Sequence, residues 1–254
     1  MKMSWMERIQ IKLKNKKRAY FAGDFHLGIP DEKSSMLREK KIIMWLDSIE
    51  KHTQELFLMG DIFDFWFEYK YVVPKYYFNF LSKISTMIDR GINVHFFKGN
   101  HDMWTIDYFE NIGLKVYDNI QKFKIDNSNI IVGHGDGLGK GDTGYKVIKS
   151  IFKNKGTQFL FRILHPDIGI KLGSYLSKSN KNRDDNSDNN NDRIYNFCKD
   201  YNSKEANQAY VFGHSHKVSV KEISSTSTYY NTGEWLNQSN FLVFESGRFE
   251  IKKF

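Results

Sequence analysis

The sequence has one cysteine, Cys198, and three prolines in 254 residues. A single thiol excludes an intrachain disulfide framework and fits a reducing compartment. No stretch approaches 18 uncharged apolar residues, so no membrane-spanning helix is expected, while attachment to a membrane surface stays open. Met1 to Arg18 is polar and basic without an apolar core segment, and is not expected to be a secretory signal. No internal repeat is present. Acidic residues are in the minority: 30 Asp plus Glu stand against 38 Lys plus Arg, a formal charge of +8. That surplus favours an anionic partner without choosing among a phosphorylated substrate, nucleic acid and an anionic membrane face. What the chain has instead is apolar and aromatic residues, at 40% and 16%, enough to pack a core through most of its length.

Short apolar runs ending in glycine read as buried strands at Arg18–Gly23, Glu55–Gly60, Asn93–Gly99, Ile130–Gly133 and Gln208–Gly213. Ser34–His52 and Tyr76–Arg90 carry helical apolar spacing, with Gly91 suited to a C-terminal cap. Strand, glycine loop and helix in repetition predict an α/β layered fold whose ligands bind at the strand ends. Thr143–Lys178 is helical in period, basic and aromatic, and predicts a helical insertion. Ser179–Asp192, rich in Asn, Asp and Ser, predicts a mobile loop within a cap spanning 143–200. Val218–Ile223, Thr228–Asn231 and Phe241–Phe244 predict strands that close a second sheet, all within one domain over 1–254.

Five strand-end loops carry the chemistry: Gly23-Asp24-Phe25-His26, Gly60-Asp61-Ile62-Phe63-Asp64, Gly99-Asn100-His101-Asp102, Gly133-His134-Gly135-Asp136 and Gly213-His214-Ser215-His216. They hold five of the eight histidines. His52, His95 and His165 lie outside and read as structural or surface residues. Mixed Asp, Asn and His donors suit borderline divalent ions such as Mn, Zn, Fe or Co, and not a cysteine-rich structural zinc site.

In order and spacing these loops resemble those of the calcineurin-like metallophosphoesterase superfamily, whose pattern is DxH, GDxxD, GNH, a GH loop and GHxH. The resemblance implies an α-β-β-α sandwich with a helical cap. It implies two divalent ions, with manganese expected, and a hydroxide held between them as the nucleophile. Asp24, His26 and His216 would hold one ion, Asn100, His134 and His214 the other, and Asp61 would bridge them. His101 would stabilise charge on the phosphate or protonate the leaving oxygen. Asp102 would orient His101 or serve only as a turn residue, and Asp64 would support the ligands from behind.

A closer resemblance, to the UDP-2,3-diacylglucosamine diphosphatase branch, lies in Asp61–Trp66, His134–Leu138 and Gly141–Tyr145 followed by the insertion. It implies hydrolysis of a nucleotide-activated glycolipid in lipid A synthesis, in the cytoplasm at the inner membrane surface. No nucleic acid partner is expected. Asn100, His101, Asp142, Ser177, Lys178, Asn182, Arg183 and His214 would contact substrate. One departure stands out: many members of that branch carry Arg where this chain has His101, the general superfamily residue. The alternatives are a phosphoesterase with another substrate and a non-catalytic interaction module on the same fold. The latter is disfavoured because all seven proposed ligands are present.

Overall fold

The computed structural model describes residues 7–139, 149–152, 154–184 and 187–254, with side chains at all of these except 178–184 and 187. Two six-stranded sheets form its centre. The first runs β12 (Arg248–Lys253), β11 (Asn240–Glu245), β2 (Arg18–Ala22), β3 (Thr53–Leu58), β4 (Asn93–Phe97) and β5 (Lys115–Tyr117). Strands β2 to β5 are mutually parallel. The second runs β1 (Ile9–Ile11), β6 (Gln121–Ile125), β7 (Ser128–Val132), β8 (Ala209–Phe212), β10 (Ser227–Thr232) and β9 (Val218–Ser224). Here β7 and β8 are parallel.

Strand alternation explains the layers. In β3, Phe57 faces the other sheet while Leu56 and Leu58 face helices, because successive side chains point to opposite faces. Both faces are buried, so these strands read as continuous apolar runs. Phe21, Phe57, Phe97, Phe123, Val132 and Val211 fill the space between the sheets. Helix α1 (Glu32–Glu50), capped by Asp31 accepting from the Ser34 N–H, and helix α2 (Phe78–Asp89) cover the first sheet. They do so through Ile42, Trp45, Leu46, Ile84 and Met87. The short helix α3 (Tyr108–Asn111) adds Phe109 to the same core. The result is the four-layer α-β-β-α sandwich.

The second sheet's outer face is covered by a helix whose first turns fall within the Ser179–Asp192 segment that composition assigned to a loop. After α4 (Lys155–Ile163) and α5 (Pro166–Asp184) comes α6 (Ser187–Asn202). Ile194 and Cys198, one turn apart, pack on Ile131, Tyr210 and Tyr229. Asn191 is buried and its Oδ1 accepts from the Tyr229 hydroxyl at 2.9 Å. Asp188 and Asp192 pair with Lys217 and Lys221 on and beside β9. Polar side chains that are expected to favour solvent are here given tertiary partners, which overrides the local preference. The C-terminal runs also divide: β9 and β10 join the second sheet, whereas β11 and β12 extend the first.

His95 is structural, as its position outside the loops suggested. It is fully buried between the sheets, stacked on Phe57 at 4.4 Å. Nε2 donates to Glu55 Oε2 at 2.8 Å, and Nδ1 accepts from the Tyr117 hydroxyl at 3.0 Å. Burial pushes its pKa below the usual histidine value, so the folded protein keeps it neutral. This stability is fully present above about pH 6.5, the unfolded value, and is lost as the pH falls toward the folded pKa. Denaturant titrations between pH 7 and pH 5 should therefore show a shallower loss in His95→Gln than in the parent. The difference should reach at most about 1.4 kcal/mol per pH unit. Parallel curves would place the titration elsewhere.

Candidate metal centre

The five polar loops follow the C-terminal ends of β2, β3, β4, β7 and β8, and the topology brings all five ends together. Backbone hydrogen bonds prolong the sheet into the loops: Asp24 N to Gly60 O, His26 N to Asp61 O and Gly213 N to His134 O, each 2.9 Å. Asp24, His26, Asp61, His214 and His216 all have positive φ, between 46° and 65°. Non-glycine residues there are uncommon, and such strain persists only where the surroundings enforce it. It turns each side chain inward.

Three sets of donors result among the described residues, one of them His26, Asp64 and His101, and the other two hold residues named as ligands from the sequence. Asp24, His26, Asp61 and His216 form one, and Asp61, His134 and His214 the other, with the donor atoms of each set within 4.8 Å of one another. Asp61 belongs to both. Asn100 joins the second set, its Oδ1 3.1 Å from His134 Nε2. The seven side chains named from the sequence therefore converge.

The donor chemistry fits cations. His134 Nδ1 donates to the Met59 carbonyl at 2.8 Å, which leaves a lone pair on Nε2. That lone pair faces two acceptors, Asn100 Oδ1 at 3.1 Å and Asp61 Oδ2 at 3.3 Å. His26 Nε2 and His216 Nε2 stand 3.0 Å apart beside Asp24. Acceptors crowded against acceptors in a buried site need positive charge between them. Burial works against charging His134, yet the Asp61 carboxylate raises its pKa to about 10. Burial, helped by the charge on His134, pushes His214 down to about 3. Burial opposes ionisation of Asp61, but His134 and His101 hold it well below the usual carboxylate range.

Close packing of backbone makes the convergence possible. A Cβ at Gly99 would stand 2.1 Å from Asp61 Oδ1, and one at Gly213 2.2 Å from Asp24 Oδ2. Asp102 is fully buried and accepts from Gly99 N and Ile62 N, both at 2.8 Å. It thus ties the third loop to the second, and burial followed by the charge of Asp61 raises its pKa to about 7. Both of these bonds are to backbone N–H groups. Asp64 Oδ1 faces His26 Nδ1 at 3.6 Å and His101 Nδ1 at 3.8 Å.

Two supporting residues escaped the sequence reading. Buried Arg38 donates from Nε to Phe25 O at 2.7 Å and from Nη2 to His26 O and Ile29 O, holding the first loop. The signal was an arginine four residues before Ile42 on the apolar stripe of α1. Asn231 on β10 donates to Gly213 O at 2.6 Å and holds the fifth loop. Nothing in its local pattern marks it.

A cleft opens beside Asn100 and His101. Its walls are Phe65, Trp104, Phe152, Phe161 and Leu176, and Ser177 lies at its base. Among the proposed substrate contacts, Ser177 is buried beside His101. Asp142 and the Gly141–Tyr145 motif lie outside the described residues, as do the side chains of Lys178, Asn182 and Arg183.

The family model for calcineurin-like phosphoesterases matches residues 17–218. A curated relative from Porphyromonas gingivalis, named UDP-2,3-diacylglucosamine hydrolase, is 28% identical over 90% of this chain and 94% of its own. A relative of the same name from Shewanella halifaxensis is 24% identical over 92% of this chain and 97% of its own. Among solved structures, a zinc-complexed Vps29 from Entamoeba histolytica aligns over 93% of this chain and 98% of its own, at 14% identity and a TM-score of 0.42.

Proposed function

This chain belongs to the calcineurin-like phosphoesterase family and is a metal-dependent hydrolase, and from that premise we propose that it cleaves the pyrophosphate of UDP-2,3-diacylglucosamine in lipid A synthesis. The products are UMP and 2,3-diacylglucosamine 1-phosphate. The observation that carries this reading is the junction of a charged donor cluster with an aromatic, aliphatic cleft at Asn100 and His101. A substrate with a diphosphate and two acyl chains needs both. The names of the relatives point the same way.

Asp24, His26 and His216 would hold one divalent ion, Asn100, His134 and His214 the second, and Asp61 would serve both. When bound, the two ions, manganese in this reading, supply Lewis acidity and a water of lowered pKa. Attack falls on the phosphorus nearer uridine, and the bond to the bridging oxygen breaks. His101 Nε2 stands 4.0 Å from Asp61 Oδ2, placed to give a proton to that departing oxygen. Its backbone N–H donates to Asp61 Oδ1 at 2.9 Å, which fixes the loop on the shared carboxylate.

No helix among the described residues is long and apolar enough to cross a membrane. On α4 and α5, however, Phe159, Leu160, Ile163, Ile168 and Tyr175 are exposed by 59–71%, with Lys155, Arg162 and Lys171 on the same two helices. Apolar side chains interspersed with basic ones suit the surface of an anionic bilayer, where this lipid substrate resides. Replacing Phe159, Leu160 and Ile163 together by serine should weaken sedimentation with phosphatidylglycerol vesicles by about tenfold or more. Unchanged sedimentation would remove these helices from the membrane contact.

The decisive assay is incubation of the purified protein with UDP-2,3-diacylglucosamine and Mn, reading UMP release. Chelation should abolish release and added divalent ion restore it. No UMP, with hydrolysis of a simple aryl phosphodiester intact, would favour a different phosphoester substrate. Full activity after metal stripping would overturn the two-ion mechanism.

A further inference from the structure

The helix α5 reaches the site at one point. Gly169, Gly173 and Ser177 recur every fourth residue and so share one face. A Cβ at Gly169 would stand 1.9 Å from the Tyr69 hydroxyl, and one at Gly173 2.1 Å from the Phe65 ring. The missing side chains let the helix lie directly on the loop that follows β3. One turn further on, Ser177 meets the catalytic loops and is 7% exposed.

The hydrogen bonds there have only one consistent direction. His101 Nδ1 lies 2.9 Å from the Asp64 carbonyl oxygen, which can only accept, so Nδ1 carries a proton. The same Nδ1–H is shared with Ser177 Oγ, 2.7 Å away, as a three-centre donor. The serine's own proton then goes to Asp64, whose Oδ2 is 2.9 Å and carbonyl oxygen 2.8 Å from Oγ. The chain runs from His101 Nδ1–H to Ser177 Oγ and from Ser177 O–H to Asp64. It leaves Nε2 as the ring atom that faces the site.

We propose that Ser177 is a positioning residue: its hydroxyl, carried by α5 and anchored on Asp64, holds the His101 ring so that Nε2 meets the leaving oxygen. Docking of this helix is thereby a condition for proton transfer. The inference rests on His101 as proton donor in the function proposed above. It differs from a role for Ser177 in holding substrate, because the hydroxyl acts on the His101 ring.

The test is a double-mutant cycle on the full chain with Mn, reading kcat and KM for UDP-2,3-diacylglucosamine. Ser177→Ala should lower kcat about tenfold, leave KM within about twofold, and bind metal as the parent does. Ser177→Thr, which retains the hydroxyl, should recover most of the lost rate. In a His101→Ala background, Ser177→Ala should cost nothing further. A rise in KM alone would make Ser177 a substrate contact, and equal losses in both backgrounds would make it independent of His101. Either result overturns the proposal. Normal kcat in His101→Ala would remove the donor role and this inference with it, leaving the metal-dependent hydrolysis itself in place. Should Ser177→Ala fail to fold, Gly173→Ala lifts the helix with the serine intact, and the same kcat loss is expected.

Discussion

An Asp61→Ala enzyme is expected to turn over at least about 1,000-fold more slowly than the parent, a loss of about 4 kcal/mol in transition-state stabilisation. Asp61 is the single side chain common to the two sets of proposed ligands. It is nearly fully buried, and its Oδ1 also accepts the His101 N–H. Removing it takes away the one negative charge that the two proposed ions would share and leaves His26 and His134 without the carboxylate they face at 3.9 Å and 3.3 Å. Elemental analysis of the purified variant should find fewer than two ions per chain, and added Mn should restore little rate. Two tightly held ions with normal turnover would refute the shared role.

Gly99→Ala should come close to that loss, by about 100-fold or more in kcat, although it changes no group of the proposed chemistry. The added methyl would stand 2.1 Å from Asp61 Oδ1 and, more decisively, 2.5 Å from the Asp61 backbone nitrogen. A side chain can rotate away, but the backbone cannot move without dragging the second loop off the first. Those loops are joined by His26 N to Asp61 O and Leu27 N to Ile62 O, and Asp102 bonds Gly99 and Ile62 together from below. The variant should keep its sandwich core and its circular dichroism while losing metal. A Gly99→Ala enzyme with parental rate and two bound ions would show that the loops are more compliant than their packing implies.

The contrast between these two variants separates what was legible. Asp61 announces itself, because a carboxylate after an apolar run and a glycine is a local pattern with a chemical reason. The other four loops announce themselves similarly, and the strands before them are apolar without interruption because both their faces are buried. Two strands at or next to a sheet edge were less visible: β12 and β6 mix charged with apolar residues and offer no continuous apolar run. Helix α6 was hidden for the opposite reason: its Asn- and Asp-rich first turns resemble a solvated loop until Tyr229, Lys217 and Lys221 are placed against them.

By itself the sequence determined which side chains could bind cations, that they sit at strand ends, and that helices and strands are layered in one α/β fold. Each depends on neighbours a few residues apart, within the reach of strand and helix periods. Only the tertiary structure decided that Asp61 serves two donor sets, that Arg38 and Asn231 brace the loops, and that Ser177 meets Asp64 from 113 residues away. A contact between distant segments leaves no period in the chain, and its geometry exists only once both sheets have packed face to face.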